Sequence, residues 1–135
     1  MKIIVIDGQG GNIGKQLVKR IKESFPDVYI RAVGTNSIAT GNMLKGGADE
    51  AASGENALVV ACRQADIIVG PIGIIVPDAL LGEVSARMAE AVGSSNACKI
   101  LIPLNRCDVL IPGVEDKSTG ELLEDALKMI RAIMK

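Results

Sequence analysis

The stretch that decides the fold is residues 2–23, which read KIIVIDGQGGNIGKQLVKRIKE. Residues 3–6 form a β-branched run that ends at Asp7-Gly8, as a strand that stops at a turn does. Apolar residues then recur at helical spacing, at positions 13, 17, 18 and 21, with Lys and Arg on the other face. The stretch therefore predicts a strand, a glycine-rich turn and an amphipathic helix, which is the context that a nucleotide-binding glycine motif requires.

The turn carries four glycines, each with a predicted use. Gly8 permits a tight turn off the strand, and Gly14 lets the helix pack closely on the sheet. Either Gly10 or Gly11 lets the backbone approach a ligand. Amide groups at the helix N-terminus, with the positive end of the helix dipole, favour an anion. The turn therefore predicts a phosphate site, and a glycine-rich connection without a ligand is the alternative.

The spacing of these glycines reads best as G-x-x-G-x-x-G. In that form it resembles the loop of extended short-chain dehydrogenases. The Gly-Lys-Ser/Thr sequence of a P-loop is absent, since Lys15 follows Gly14 and Gln16 comes next. ATP hydrolysis of the P-loop type is therefore not expected.

Strand and helix alternate along the rest of the chain. Further strands are predicted over residues 28–33, 48–52, 66–70 and 99–104, with a sixth short strand at an edge over 109–112. Helices are predicted over residues 38–45 and 55–64, from near Pro77, and after a capping box formed by Ser118 and Glu121. The alternation predicts one domain over residues 1–135, a Rossmann-like three-layer α/β/α sandwich. Its sheet is predicted to be mainly parallel and five-stranded, in the order 3-2-1-4-5.

The composition narrows the classes of function. With 15 basic and 16 acidic residues and 1% aromatic residues, the chain has neither a basic excess nor stacking platforms for nucleic acid. Three cysteines without CxxC spacing indicate neither a disulfide framework nor a zinc site. The absence of histidine excludes Ser-His-Asp triads and His-ligated metals. No apolar run is long enough to span a membrane, and a cytoplasmic protein without membrane contact is expected.

Ligands of an open parallel sheet bind beyond the carboxyl ends of its strands. A NAD-binding unit carries an acid at the end of its second strand, whereas this chain has Thr35, Asn36 and Ser37 there. These side chains offer neutral hydrogen bonds, compatible with NADP or with another nucleotide. Arg31 would serve a 2′-phosphate only if its side chain reaches the strand end. The predicted binding residues are Gly8, Gln9, Gly10, Gly11, Asn12, Ile13, Gly14, Thr35, Asn36, Ser37, Gly70, Pro71, Ile72, Gly73, Asn105 and Arg106.

For three carboxylates near the strand ends, a structural role is favoured over a catalytic one. Asp7 is expected to cap the turn, and Glu55 and Asp78 are expected in the first turns of helices, where the dipole favours them. No catalytic residue is identified.

One cation and three thiols complete the set of candidate reactive groups. Arg106 is the best cation for a phosphate, although an exposed loop charge is the alternative. Cys107 beside it is either a nucleophile of lowered pKa or a buried inert thiol, and buried thiols are predicted at Cys62 and Cys98.

Four segments resemble the bacterial proteins grouped as DUF3842: IDGQGGNIGKQLV, GTNSIATGNMLKGGAD, SGENALVVACRQADIIVGPIGI and KILIPLNRC. The resemblance runs over nearly the whole chain. It implies a small α/β domain and supplies no activity and no catalytic residue.

The predicted function is a module that binds a nucleotide or another phosphorylated ligand. One alternative is a small NADP-dependent oxidoreductase, although a Tyr-x-x-x-Lys pair is missing because Val33 follows Tyr29 at that spacing. Another is a structural or assembly subunit with a vestigial glycine loop. A dinucleotide would be enclosed only if a second subunit covered it. The apolar stripe of residues 80–92, formed by Leu80, Leu81, Val84, Met88 and Ala91, suits either a homodimer interface or the core.

Overall fold

The computed structural model describes residues 1–104, 109–114 and 116–135. Strands and helices alternate through these residues, as predicted. The strands are β1 (Lys2–Asp7), β2 (Tyr29–Gly34), β3 (Glu50–Ser53), β4 (Ile67–Pro71) and β5 (Cys98–Ile102). The helices are α1 (Asn12–Ser24), α2 (Ser37–Lys45), α3 (Glu55–Gln64), α4 (Ala86–Gly93) and α5 (Thr119–Met134), with a short 3₁₀ helix at Ile72–Ile75.

The five strands form one parallel sheet in the order β3-β2-β1-β4-β5, which confirms the predicted topology. The central strand, β1, pairs with β2 on one side and with β4 on the other. The chain builds the β3 side first and then crosses to β4, so the switch point of the sheet lies between β1 and β4. The loops that follow these two strands leave a crevice at the carboxyl edge, where ligands of such sheets bind.

Helices cover both faces of the sheet. Ile3 and Val5 of β1 belong to a core with α1, α2 and α5, and Ile4 and Ile6 belong to a second core with α3 and α4. All four side chains are 0% exposed, because a central parallel strand is buried on both faces. The predicted three-layer sandwich is thereby confirmed.

The helix predicted from Pro77 is wrong in its first half. Residues 76–84 form a turn, called here the 76–84 turn, and α4 begins only after Ser85, whose side chain accepts a hydrogen bond from the Met88 amide. Leu81, predicted in the apolar stripe, is 96% exposed, although Leu80 and Val84 are buried. The backbone at Leu80 and Leu81 is left-handed, with φ of 57° and 58°. A right-handed helix cannot include such residues.

The remaining boundaries follow the predictions with small shifts. The N-cap of α5 is Ser118, and Ser118 and Glu121 form the predicted capping box. The predicted sixth strand is wrong, because the described residues 109–112 contain only an isolated bridge position at Val109. Among the helices of the described ranges, none is long and apolar enough to cross a lipid bilayer.

Candidate functional site

Asp7, the last residue of β1, holds the glycine loop in place. Its carboxylate accepts hydrogen bonds from the amide of Gly8 at 2.8 Å and from the amide of Gly14 at 2.7 Å. The side chain is 5% exposed, and a hydrogen bond from the Gly11 amide to the Gly8 carbonyl closes the turn at 2.9 Å. Asp7 therefore has the capping geometry that the sequence predicts for it.

The glycines of this loop have different physical reasons to be glycine. At Gly11, where φ is 73°, an added Cβ would lie 2.6 Å from the Cα of Ala39, so this glycine allows α2 to approach the loop. At Gly14 an added Cβ would lie 2.5 Å from the Met43 sulfur and 2.8 Å from the Asp7 Cβ, so α1 packs closely there against α2. At Gly10 an added Cβ would meet no described atom within 4 Å. Of the two glycines that could admit a ligand, Gly10 faces open space and Gly11 faces α2.

Three amide groups of the loop are available to a ligand. The amides of Gly10, Asn12 and Ile13 donate to no acceptor within the described part of the chain. Asn12 and Ile13 are the first residues of α1, where amides have no partner within the helix. The loop thus combines free donors, the positive end of a helix dipole and the open side of Gly10.

The end of β2 lies beside this loop, but its polar groups are already engaged. The Thr35 hydroxyl and the side-chain amide (Nδ2) of Asn36 both donate to Oε1 of Glu83, at 2.6 and 2.9 Å. The Asn36 amide also donates to the Gln9 carbonyl at 2.9 Å, and its Oδ1 caps α2 by accepting from the Ala39 amide. The hydrogen-bonding groups of Thr35 and Asn36 that were predicted to contact a ligand therefore make hydrogen bonds within the chain, whereas Ser37 is exposed at the start of α2.

Glu83, on the 76–84 turn, is the residue that sequence reasoning missed. Its Oε1 accepts a third hydrogen bond, from the Gln9 amide at 2.8 Å. The hydrogen bond from Thr35, and next that from the Gln9 amide, lower the pKa of the Glu83 carboxyl below its ordinary value. An ionised carboxylate therefore stands between the glycine loop and the end of β2. Gly82 and Pro77, both turn residues within the predicted helix, were the signals that could have indicated a turn there.

The loop after β4 contributes on the other side of the crevice. Gly70 and Pro71 are buried within β4, and a Cβ on Gly70 would collide with the Ile6 carbonyl oxygen, so Gly70 serves sheet packing. Ile72 and Gly73 open the 3₁₀ helix and line a cavity of about 330 Å³. Gln9, Val109 and residues 76–81 complete its lining, which is largely apolar. The cavity lies at the switch point and directly adjoins the glycine loop through Gln9.

Other predicted residues lie away from this crevice. Arg31 donates to Gln64 at the end of α3 at 2.8 Å and to the Tyr29 hydroxyl, so its side chain points toward the amino ends of the strands. Glu55 lies in the first turn of α3, as expected, and accepts from the Ser85 hydroxyl. Asp78 lies in the 76–84 turn with φ 66°, so its predicted place at a helix start is wrong. The predicted contacts of Asn105 and Arg106, and the alternatives for Cys107, lie outside the described residues.

A larger cleft of about 520 Å³ runs between α3 and α4. The described residues that line it include none of the predicted binding residues. Cys62 on its wall is buried as predicted, and burial raises the pKa of its thiol to about 11, which leaves it protonated and unreactive at neutral pH. Cys98, predicted to be buried, is exposed, because it lies at the start of the edge strand β5.

Comparisons with known proteins identify the family of this chain. No curated protein sequence matches this chain. The crystal structure of a dodecameric FMN-dependent UbiX-like decarboxylase from Escherichia coli O157:H7 is similar, with a TM-score of 0.48 and 14% sequence identity. That similarity covers 99% of this chain and 94% of the other. The family described as "Domain of unknown function (DUF3842)" matches residues 2–135, which confirms the resemblance found in the sequence.

Proposed function

Because this chain belongs to the DUF3842 family, whose description names no activity, we propose from its own residues that it is a nucleotide-binding module. The proposed site lies at the carboxyl edge of the sheet, between the loops that follow β1 and β4. The observation that carries the proposal is the combination of an open Gly10 with the free amides of Gly10, Asn12 and Ile13. These donors would hold a phosphate, as the N-terminus of a helix does in dinucleotide-binding units.

The adjoining cavity supports a ligand larger than phosphate alone. Its volume of about 330 Å³ lies within the range of small-molecule sites, which are mostly apolar with a few placed polar groups. Ile72, Val76 and Leu80 would contact an apolar ring such as a base, while the phosphate lies on the loop. Arg106 would add a cation to the phosphate, as its place in the sequence after β5 suggests.

Two alternatives have less support. A NADP-dependent oxidoreductase would need a cation for the 2′-phosphate, and Arg31 is directed to Gln64 and Tyr29 instead. A vestigial loop in a structural subunit would be expected to fill with side chains. Leu80 and Glu83 do approach Gly8, but the side of Gly10 is open.

The test is a thermal-shift screen of the folded protein against inorganic phosphate, the four nucleoside 5′-monophosphates, ATP, GTP, NAD and NADP. At ten times its dissociation constant a ligand stabilises the native state by about 1.4 kcal/mol, which raises the melting temperature of a chain of this size by roughly 4–8 °C. We expect such a shift with at least one nucleotide. No shift with any of them at millimolar concentration would refute the proposal.

A matched pair of variants locates the site. Gly10→Asp places a carboxylate beside the free amides, where an added Cβ meets no described atom, and should abolish the shift without unfolding the protein. Gly93→Asp makes the same charge change at the end of α4, also in open space, and should leave the shift intact. Equal shifts in both variants would contradict binding at the glycine loop.

A further inference from the structure

The acid that a ribose site requires is missing from the end of β2 but is supplied from elsewhere in the fold. Nucleotide-binding units of this architecture place an Asp or Glu there to accept hydrogen bonds from the ribose hydroxyls. In this chain Glu83 occupies that place, held by the Thr35 hydroxyl at the end of β2 and by the Gln9 amide of the glycine loop. Its Oε1 would lie 3.1 Å from a Cβ built on Gly8, so the carboxylate is in contact range of the first glycine of the loop.

One oxygen of this carboxylate is used and the other is available. Oε1 accepts all three intramolecular hydrogen bonds. Oε2 accepts none from the residues that the structure describes. An ionised carboxylate accepts hydrogen bonds and donates none, so Oε2 attracts hydroxyl groups and repels anions. A glutamate of ordinary pKa is already ionised at neutral pH, and these hydrogen bonds lower the pKa of Glu83 further.

The 76–84 turn fixes the position of this side chain. The backbone of Asp78, Leu80 and Leu81 is left-handed, a conformation that non-glycine residues keep only where the surrounding contacts impose it. Here the Asp78 amide donates to the Val84 carbonyl at 2.7 Å, and the Val84 amide donates to the Ala79 carbonyl at 3.1 Å. Leu80 and Val84 of the same turn are buried in the core formed with α3 and α4. Glu83 therefore lies on a turn that two backbone hydrogen bonds close, and its carboxylate accepts hydrogen bonds from three donors.

We infer that Glu83 is the residue that selects the sugar of the ligand, accepting a ribose with free 2′- and 3′-hydroxyls and rejecting a 2′-phosphate. This inference rests on the proposed nucleotide site. A 2′-phosphate would bring a second anion to the carboxylate and remove the hydroxyl donor that Oε2 accepts. The ligand class is therefore nucleotides with an unmodified ribose, which includes NAD-type and excludes NADP-type molecules.

The experiment measures dissociation constants by isothermal titration calorimetry for AMP, 2′-deoxy-AMP and adenosine 2′,5′-bisphosphate. The corresponding ribo and deoxy pair is used if the thermal-shift screen favours another base. For the wild type we expect the ribonucleotide to bind about tenfold to a hundredfold tighter than the deoxynucleotide, the loss typical of one hydrogen bond to a charged group. The bisphosphate should bind weaker still.

The variant Glu83→Gln should reduce the preference for the ribonucleotide and should lose most of the discrimination against the bisphosphate. Glu90→Gln, which removes the same charge from an exposed position of α4, should retain both preferences. Circular dichroism checks that each variant is folded, and the wild-type series tests the inference without any variant.

The outcomes separate the two proposals. A wild type that binds a nucleotide but does not distinguish the three sugars overturns the role of Glu83 and leaves the nucleotide site standing. The role of Glu83 is also overturned if Glu83→Gln binds inorganic phosphate and all nucleotides more tightly by the same factor. Glu83 would then compete with the phosphate for the loop amides and would not select the sugar. A folded wild type that binds no nucleotide refutes both proposals.

Discussion

Replacing Gly11 with alanine should destabilise the protein far more than the same replacement at Gly10, one position earlier. At Gly11 the backbone φ is 73°, which costs an alanine about 1–2 kcal/mol. The new Cβ would also lie 2.6 Å from the Cα and 2.8 Å from the carbonyl oxygen of Ala39, both backbone atoms of α2. Overpacking of this kind costs about 1–3 kcal/mol when a helix must shift. We therefore expect a loss of about 2–5 kcal/mol in the free energy of unfolding.

The assay is urea unfolding followed by circular dichroism, supported by thermal melts. At about 4 °C per kcal/mol for a chain of this length, Gly11→Ala should lower the melting temperature by roughly 8–20 °C. Gly10→Ala should change stability by less than about 1 kcal/mol, because its Cβ meets no described atom and its φ lies outside the left-handed region. Equal effects of the two substitutions would refute the assignment of Gly11 to helix packing and of Gly10 to open space.

Two further predictions concern the 76–84 turn. The pKa of Glu83 is lowered in the native state, so its ionised form stabilises the protein above the pKa of an unfolded glutamate, and this contribution is lost as the pH falls through the lowered native value. The free energy of unfolding of Glu83→Gln should accordingly be about 1–2 kcal/mol lower than that of the wild type at pH 7. Urea titrations should show this difference closing towards pH 3. A difference that does not depend on pH would contradict the hydrogen-bonded carboxylate. Leu80→Ala should lower the free energy of unfolding by about 2–4 kcal/mol, because the side chain is buried. Leu81→Ala should lower it by less than about 0.5 kcal/mol, because Leu81 is 96% exposed. Comparable losses would instead support a helix that buries both side chains.

The sheet was predictable because its signals are local and agree with one another. The central strands β1 and β4 are short aliphatic runs that end at turn residues, and each connection is long enough for a right-handed crossover. The proposed phosphate-binding loop was predictable for the same reason, since strand, glycines and helix are consecutive in the chain. Asp7 could be assigned a capping role from its place at the strand end alone.

The position of Glu83 beside the glycine loop was not predictable from local pattern. Leu80, Val84 and Met88 are spaced as in a helical stripe, and all three are buried, yet only Met88 is in a helix. Buried residues at helical spacing can therefore also arise in a turn, here one that places both Leu80 and Val84 in the core. Within the stripe, the exposure of Leu81 distinguishes the turn from a helix, and exposure is a property of the packed structure. Once residues 77–84 are assigned to a helix, Glu83 looks like an ordinary surface acid.

The hydrogen bonds of Glu83 also determine what can be transplanted from this protein. The segment 2–23 contains every amide proposed for the phosphate, but the Gln9 amide in that segment is bound by a side chain 74 positions further along the chain. A graft of the glycine loop alone, or a fragment that ends after β3, would carry the proposed phosphate donors without Glu83. A circular permutant that opens the chain within residues 76–84 would release the same contact while keeping every residue. Engineering of this site must therefore treat the glycine loop, the end of β2 and the 76–84 turn as one inseparable unit.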